Sequence, residues 1–111
     1  MTPESKYSNE GRNAPTWFFL FFDGIIPVGV AELFDDKKLR CLYIGNFGIV
    51  KKFQNKGVGS EFVDWIEKYC MSQNYRVIEL TATPNSIGFY EKNGFESTDK
   101  CEGSFKKIIN L

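Results

Sequence analysis

Residues 47–63 constrain this chain more than any other stretch. An apolar strand containing Gly48 passes through the basic pair Lys51-Lys52, and Gly57-Val58-Gly59 then opens a segment with helical spacing. The first turn of a helix leaves backbone N–H groups unpaired and pointing ahead of it, so strand, glycine turn and helix together make an anion site. Gly57 and Gly59 lack side chains, which lets a phosphate approach that backbone closely. A phosphate-bearing ligand is the first expectation; an ordinary tight turn is the competing reading, since short Gly-x-Gly sequences are common. Two nucleotide motifs are excluded at once. A dinucleotide fingerprint wants glycine or alanine where Phe62 stands, and a P-loop wants Lys-Ser or Lys-Thr where Ser60-Glu61 stand.

The 111 residues suit one domain with one core, and eleven Phe supply material for it. Zero formal net charge argues against a nucleic-acid footprint. The absence of histidine removes the usual general base and the commonest metal ligand, so no metal is expected. Cys41, Cys70 and Cys101 are odd in number and widely spaced, and no signal-like segment opens the sequence; they read as reduced thiols in a cytoplasmic protein. The longest apolar run, residues 17–22, is too short for a bilayer, and no membrane partner is expected.

Along the chain, residues 1–15 lack periodicity and read as an irregular tail. Residues 16–22, almost wholly aromatic, read as a strand, and Asp23-Gly24 turns the chain into an antiparallel neighbour over 25–34. Pro27 places the start of that neighbour at an edge or a bulge. Residues 39–50 form a third strand interrupted by Gly45 and Gly48, where a bulge or a close backbone approach is expected. Val58, Phe62, Ile66 and Cys70 recur at helical spacing, with Trp65 and Tyr69 widening the stripe, and Asn74 closes that helix in a left-handed conformation. Residues 75–82 read as a strand, and a strand, helix, strand order places it parallel to residues 39–50 through a right-handed crossover. Pro84-Asn85-Ser86 starts a short helix over 87–93, capped by Gly94 with Phe95 folding back. Residues 95–98 and 105–110 read as a closing hairpin.

Gln54, Gly57 and Gly59 form Gln-x-x-Gly-x-Gly after an apolar strand, and Ser86 precedes Phe89-Tyr90-Glu91-Lys92-Asn93-Gly94-Phe95. In this order the two motifs resemble the GNAT superfamily of N-acetyltransferases, over about residues 18–111. The resemblance implies an α/β (α+β) GNAT fold: a mixed central sheet with an antiparallel N-terminal meander, a splayed parallel strand pair, two main helices and a C-terminal hairpin. It makes residues 16–111 a single acetyl-CoA-binding N-acetyltransferase domain.

By the same resemblance acetyl-CoA is the cosubstrate. Gln54, Asn55, Lys56, Gly57, Val58, Gly59 and Ser60 would hold its pyrophosphate. Phe47, Gly48 and Ile49 would line its arm where the strands part, and Asn85, Phe89 and Lys92 would complete the site. Tyr90 would protonate the leaving thiolate. Direct transfer needs no covalent cysteine. For the general base Glu32 comes first, Glu79 second, and water relayed to a backbone carbonyl is a third route. The acceptor would be a small-molecule amine or a peptide or protein amine. The same fold could instead bind CoA as a non-catalytic sensor or partner-regulating module. Two departures stand out. Asn55 replaces a usual glycine, which asparagine's tolerance of left-handed backbone permits. The usual first strand and two helices, one wall of the acceptor pocket, have too few residues before Thr16, so either the site is open or a second subunit in a homodimer completes it.

Overall fold

The computed structural model describes residues 2–8 and 16–109. Residues 2–8 were expected to be irregular, but they form β1 (Thr2–Ser8), antiparallel to β2 (Thr16–Asp23). The strand has no apolar alternation to announce it. Its pairing comes from the backbone N–H and C=O groups that the edge of β2 would otherwise leave without strand partners. The first strand of the expected fold is therefore present, and only residues 9–15 separate it from β2. The rest of the expected tail, Met1 and residues 9–15, lies outside the described residues, as does Asn110 at the end of the expected hairpin.

β3 (Ile26–Asp36) and β4 (Cys41–Ile49) continue the antiparallel meander. Asp23 pairs with Ile26, so the hairpin loop is Gly24-Ile25, with Gly24 at φ +61°. Phe21 pairs with Gly29 but Phe22 with Pro27, and the extra residue, Val28, makes the bulge at which Pro27 is tolerated. Next come α1 (Val58–Ser72), β5 (Val77–Thr81), α2 (Ile87–Lys92), β6 (Glu96–Ser97) and β7 (Ser104–Ile108). All strands join one sheet in the order β1-β2-β3-β4-β5-β7-β6, with β4 and β5 parallel. Asn74, at φ +63°, ends α1 as its side chain predicts.

Alternation on β2 sends Trp17, Phe19 and Phe21 inward, where the α1 stripe Val58, Phe62, Val63, Ile66 and Cys70 meets them. Phe21 and Phe62 stack with centroids 4.7 Å apart and planes 4° from parallel. Phe47 on β4 lies 5.3 Å from Phe62 of α1 and 5.8 Å from Phe89 of α2, so both helices cover the same face of the sheet. Successive right-handed crossovers that move the same way across a sheet produce this arrangement. The opposite face carries Leu20, Val30, Glu32, Phe34 and Tyr43, and no helix covers it among the described residues.

Cys41 and Cys70 are buried free thiols and Cys101 is an exposed one. Burial pushes Cys41 and Cys70 up to about 12, Glu79 adding to the effect at Cys41 and Glu67 at Cys70. Raised values mean that the fold favours the protonated forms. Their contribution is whole below the unfolded value of about 9 and is lost as pH climbs from there toward 12. Thermal unfolding in reductant should therefore show a melting temperature that declines from about pH 9 upward. A profile flat to about pH 11 would contradict the burial of these thiols.

Candidate functional site

The site begins where the two parallel strands stop pairing. Ladder contacts between β4 and β5 end at Ile44 and Leu80, while β4 runs on to Ile49 paired with β3 alone. On the β3 side Leu33 pairs with Ile44 but Ala31 with Phe47, which leaves Gly45-Asn46 opposite the single residue Glu32. Of the two glycines at which a bulge was expected, it lies at the first, Gly45-Asn46, and Gly48 pairs in register with Val30. Space explains the choice of glycine. A Cβ on Gly45 would sit 2.5 Å from Glu32 Oε1 and 3.3 Å from Phe34 Cε1, so a bare backbone is what lets these two side chains lie across it. Asn46 Nδ2 donates to Glu32 Oε1 at 2.9 Å.

Beyond the bulge the gap widens into a cleft of about 680 Å³ between β4, the glycine turn, the end of β5 and α2. Phe47, Gly48 and Ile49 form one wall. Gln54, Asn55, Gly57, Gly59 and Ser60 form the end at the turn, and Asn85, Phe89, Tyr90 and Lys92 form the side at α2. Gly57 is the N-cap of α1 at φ +80°, and no side chain caps that helix end, so its first-turn N–H groups face the cleft without a side-chain acceptor. Asn55 takes φ +61°, the left-handed conformation that its amide side chain tolerates.

Two of the expected binding residues and the expected base lie outside the lining. Lys56 is exposed and outside the lining, and Val58 is buried in the core beneath α1. Gln54 does line the cleft, but its Nε2 donates to the Ile49 carbonyl at 2.9 Å, which ties the turn to the end of β4. Glu32 does not line the cleft; it reaches the lining through Asn46 and across Gly45. Gly59 has a structural duty as well, because a Cβ there would lie 2.9 Å from the Phe89 ring. Reading the sequence missed Asn46, Thr81 and Thr83, which also line the cleft. The available signal was position: Thr81 ends β5, and ligands in open sheets gather at the carboxyl ends of parallel strands.

Tyr90 is 6% exposed, with ring contacts to Phe89 at 5.2 Å, Phe95 at 5.4 Å and Phe47 at 6.3 Å. Burial pushes its hydroxyl up to about 12, so it stays protonated through neutral pH. The turn after α2 holds it there: Gly94 takes φ +88° and Phe95 N donates back to the Tyr90 carbonyl at 3.0 Å. Glu79, the second candidate base, is otherwise engaged. Lys100 Nζ lies 2.5 Å from its Oε1 and Cys41 Sγ donates to Oε2 at 3.1 Å; the Lys100 bond holds the carboxyl below its usual range. Among the described residues no three His, Cys, Asp or Glu side chains gather to hold a metal, and no helix is long and apolar enough to cross a membrane.

A family model described as acetyltransferase (GNAT) family matches residues 2–95. Among solved structures, GCN5 from Tetrahymena superposes with a TM-score of 0.77 at 14% identity, covering 86% of this chain and 69% of that one. The PaiA N-acetyltransferase from Thermoplasma acidophilum, in complex with coenzyme A, gives 0.73 at 21% identity, covering 84% and 60%. Ard1 from Thermoplasma volcanium gives 0.73 at 24%, covering 85% and 71%. At such identities the likeness is one of fold. No curated protein matches the chain.

Proposed function

Because the chain belongs to the acetyltransferase (GNAT) family, and with it to the acyltransferase class of enzymes, we propose that it moves an acetyl group from acetyl-CoA directly to a primary amine. One observation carries this reading: the parting of β4 and β5, the uncapped start of α1 and the hydroxyl-bearing ring of Tyr90 all border one cleft. Acetyl-CoA supplies, when bound, a diphosphate to be held and a thioester already activated toward amines.

The residues fit that group. First-turn N–H groups after Gly57 offer donors to a diphosphate, and a Cβ added at Gly57 or Gly48 would meet no neighbour, so backbone there is open to close approach. Past Ile44 the β5-facing edge of β4 has no strand partner, so its main-chain groups can receive an extended arm and polarise a carbonyl. Tyr90, neutral through the working range, gives its proton to the departing sulfur. Glu32, held by Asn46 at the bulge, takes the proton from the amine. Cys41 and Cys70 are buried in their thiol forms and play no nucleophilic part.

The cytoplasm is the compartment we assign, consistent with free thiols at all three cysteines. A homodimer is the assembly we assign. Because β1 occupies the edge of β2, the contact we assign is the helix-free face near Leu20. Acetyl-CoA at about a hundredfold excess over its dissociation constant should add ~2.7 kcal/mol of stability, seen as a thermal shift, and acetylated amine should accumulate with time. A shift without turnover on any amine would make the chain a sensor; no shift would remove acetyl-CoA altogether.

A further inference from the structure

Tyr90 reaches the cleft from α2, and α2 is six residues long. A helix of that length is unstable by itself, so the position of Tyr90 depends on what holds α2 from outside. Its ring is packed among Phe47, Phe89 and Phe95. Its backbone is held at the C-terminal end of the helix, where one side chain of β7 joins three elements. Lys107, cross-strand from the fully buried Ile78, reaches over the helix-covered face of the sheet. Its Nζ donates to the Asn93 carbonyl at 2.7 Å, lies 2.7 Å from Glu67 Oε1 of α1 and stands 5.9 Å from the centroid of the Phe95 ring. A Cβ on Gly94 would come within 3.2 Å of Lys107 Cε and Nζ, so the bare turn after α2 is what admits this side chain.

Resting on the acetyltransferase reading above, we propose that Lys107, anchored by Glu67, is a positioning residue that fixes where the Tyr90 hydroxyl stands in the cleft. The chain of contacts is short. Asn93, whose carbonyl Lys107 holds, donates its own N–H to the Phe89 and Tyr90 carbonyls at 3.2 and 3.1 Å, and its Nδ2 to the Phe89 carbonyl at 2.8 Å. Phe95, whose ring Lys107 faces, donates its N–H to the Tyr90 carbonyl at 3.0 Å and sets its ring 5.4 Å from that of Tyr90. A cation at the C-terminal end of a helix also meets the negative end of the helix dipole. The Lys107 and Glu67 side chains are 23% and 19% exposed, so solvent screens this pair less than an open surface ion pair. Glu67 in turn belongs to the fifteen-residue α1, which ties the end of the short helix to a long one. A shift of ~1 Å in an acid slows proton transfer steeply. Acetyl-CoA binding is affected less, because the backbone donors offered to its diphosphate stand at the start of α1.

The test uses Lys107→Met in the full chain, which keeps an apolar stem and removes the donor. 2-Phenylethylamine, spermidine and an unblocked tripeptide are each offered as acceptor with saturating acetyl-CoA. The single-turnover rate on whichever accepts acetyl should fall ~tenfold while the KM for acetyl-CoA is kept. In a Tyr90→Phe background the same substitution should lower the rate no further, because the hydroxyl it positions is already gone. Hydrogen exchange at the Phe95 N–H, which is independent of turnover, should quicken by about tenfold. Lys107→Gln carries the same comparisons if Lys107→Met does not fold. An unaltered single-turnover rate, an equal loss with and without the Tyr90 hydroxyl, or unchanged exchange at Phe95 would overturn the inference and leave acetyl transfer standing. Absence of transfer to any acceptor by the unsubstituted chain, together with absence of an acetyl-CoA thermal shift, would instead sink the acetyltransferase reading, and this inference with it.

Discussion

Replacing Tyr90 by Phe should lower the single-turnover rate of acetyl transfer by about 10²- to 10⁴-fold while the affinity for acetyl-CoA is kept. The substitution removes one oxygen and nothing else. The ring packs on Phe47, Phe89 and Phe95, and a phenylalanine ring makes the same contacts, so the core keeps its shape. What disappears is a hydroxyl that burial keeps protonated up to about 12, which is the property an acid needs if it is to donate to a departing thiolate at neutral pH. Single-turnover measurement matters because a slow product release could hide the change in kcat. A variant transferring acetyl at the unaltered single-turnover rate would remove Tyr90 from the chemistry.

The parts of this architecture that are legible in the sequence are those written locally. A stripe of Val58, Phe62, Ile66 and Cys70 specifies a helix face by spacing alone, and the buried face of α1 matches it. Asn55, Asn74 and Gly94 stand where left-handed backbone is needed, and each takes it. Parallel pairing of β4 with β5 follows from a strand, helix, strand order. Features set by distant neighbours were not legible. β1 has no apolar alternation, and its existence depends on β2 offering an edge. Of two glycines in β4, the one at the bulge is chosen by what crosses it, the Glu32 and Phe34 side chains of another strand. Gln54 belongs to a ligand-binding motif, yet its amide is engaged by the Ile49 carbonyl, a contact that spacing cannot foretell. The commitment of Glu79 to Lys100 likewise joins residues far apart in the chain.

Phe62→Ala should cost ~3–5 kcal/mol of folding stability, measured by urea unfolding, and should weaken acetyl-CoA binding as well. Phe62 is fully buried and lies between two partners: it stacks on Phe21 of β2 at 4.7 Å and leans on Phe47 of β4 at 5.3 Å. A methyl group in its place leaves a void between α1 and the sheet, so the loss includes a cavity as well as the transfer free energy of the ring. For a domain whose whole stability is of order 5–15 kcal/mol, that loss is a large fraction. The coupling to binding arises because Phe47 also walls the cleft against Phe89. With its support gone, Phe47 can drop into the void and the gap between β4 and α2 loses its shape. Ile66→Ala, on the same face of α1 and equally buried but without a ring contact to Phe47, should destabilise by ~2–5 kcal/mol and spare acetyl-CoA affinity in the fraction that stays folded. A loss below about 1 kcal/mol for Phe62→Ala would mean that α1 is not seated on the sheet through this residue.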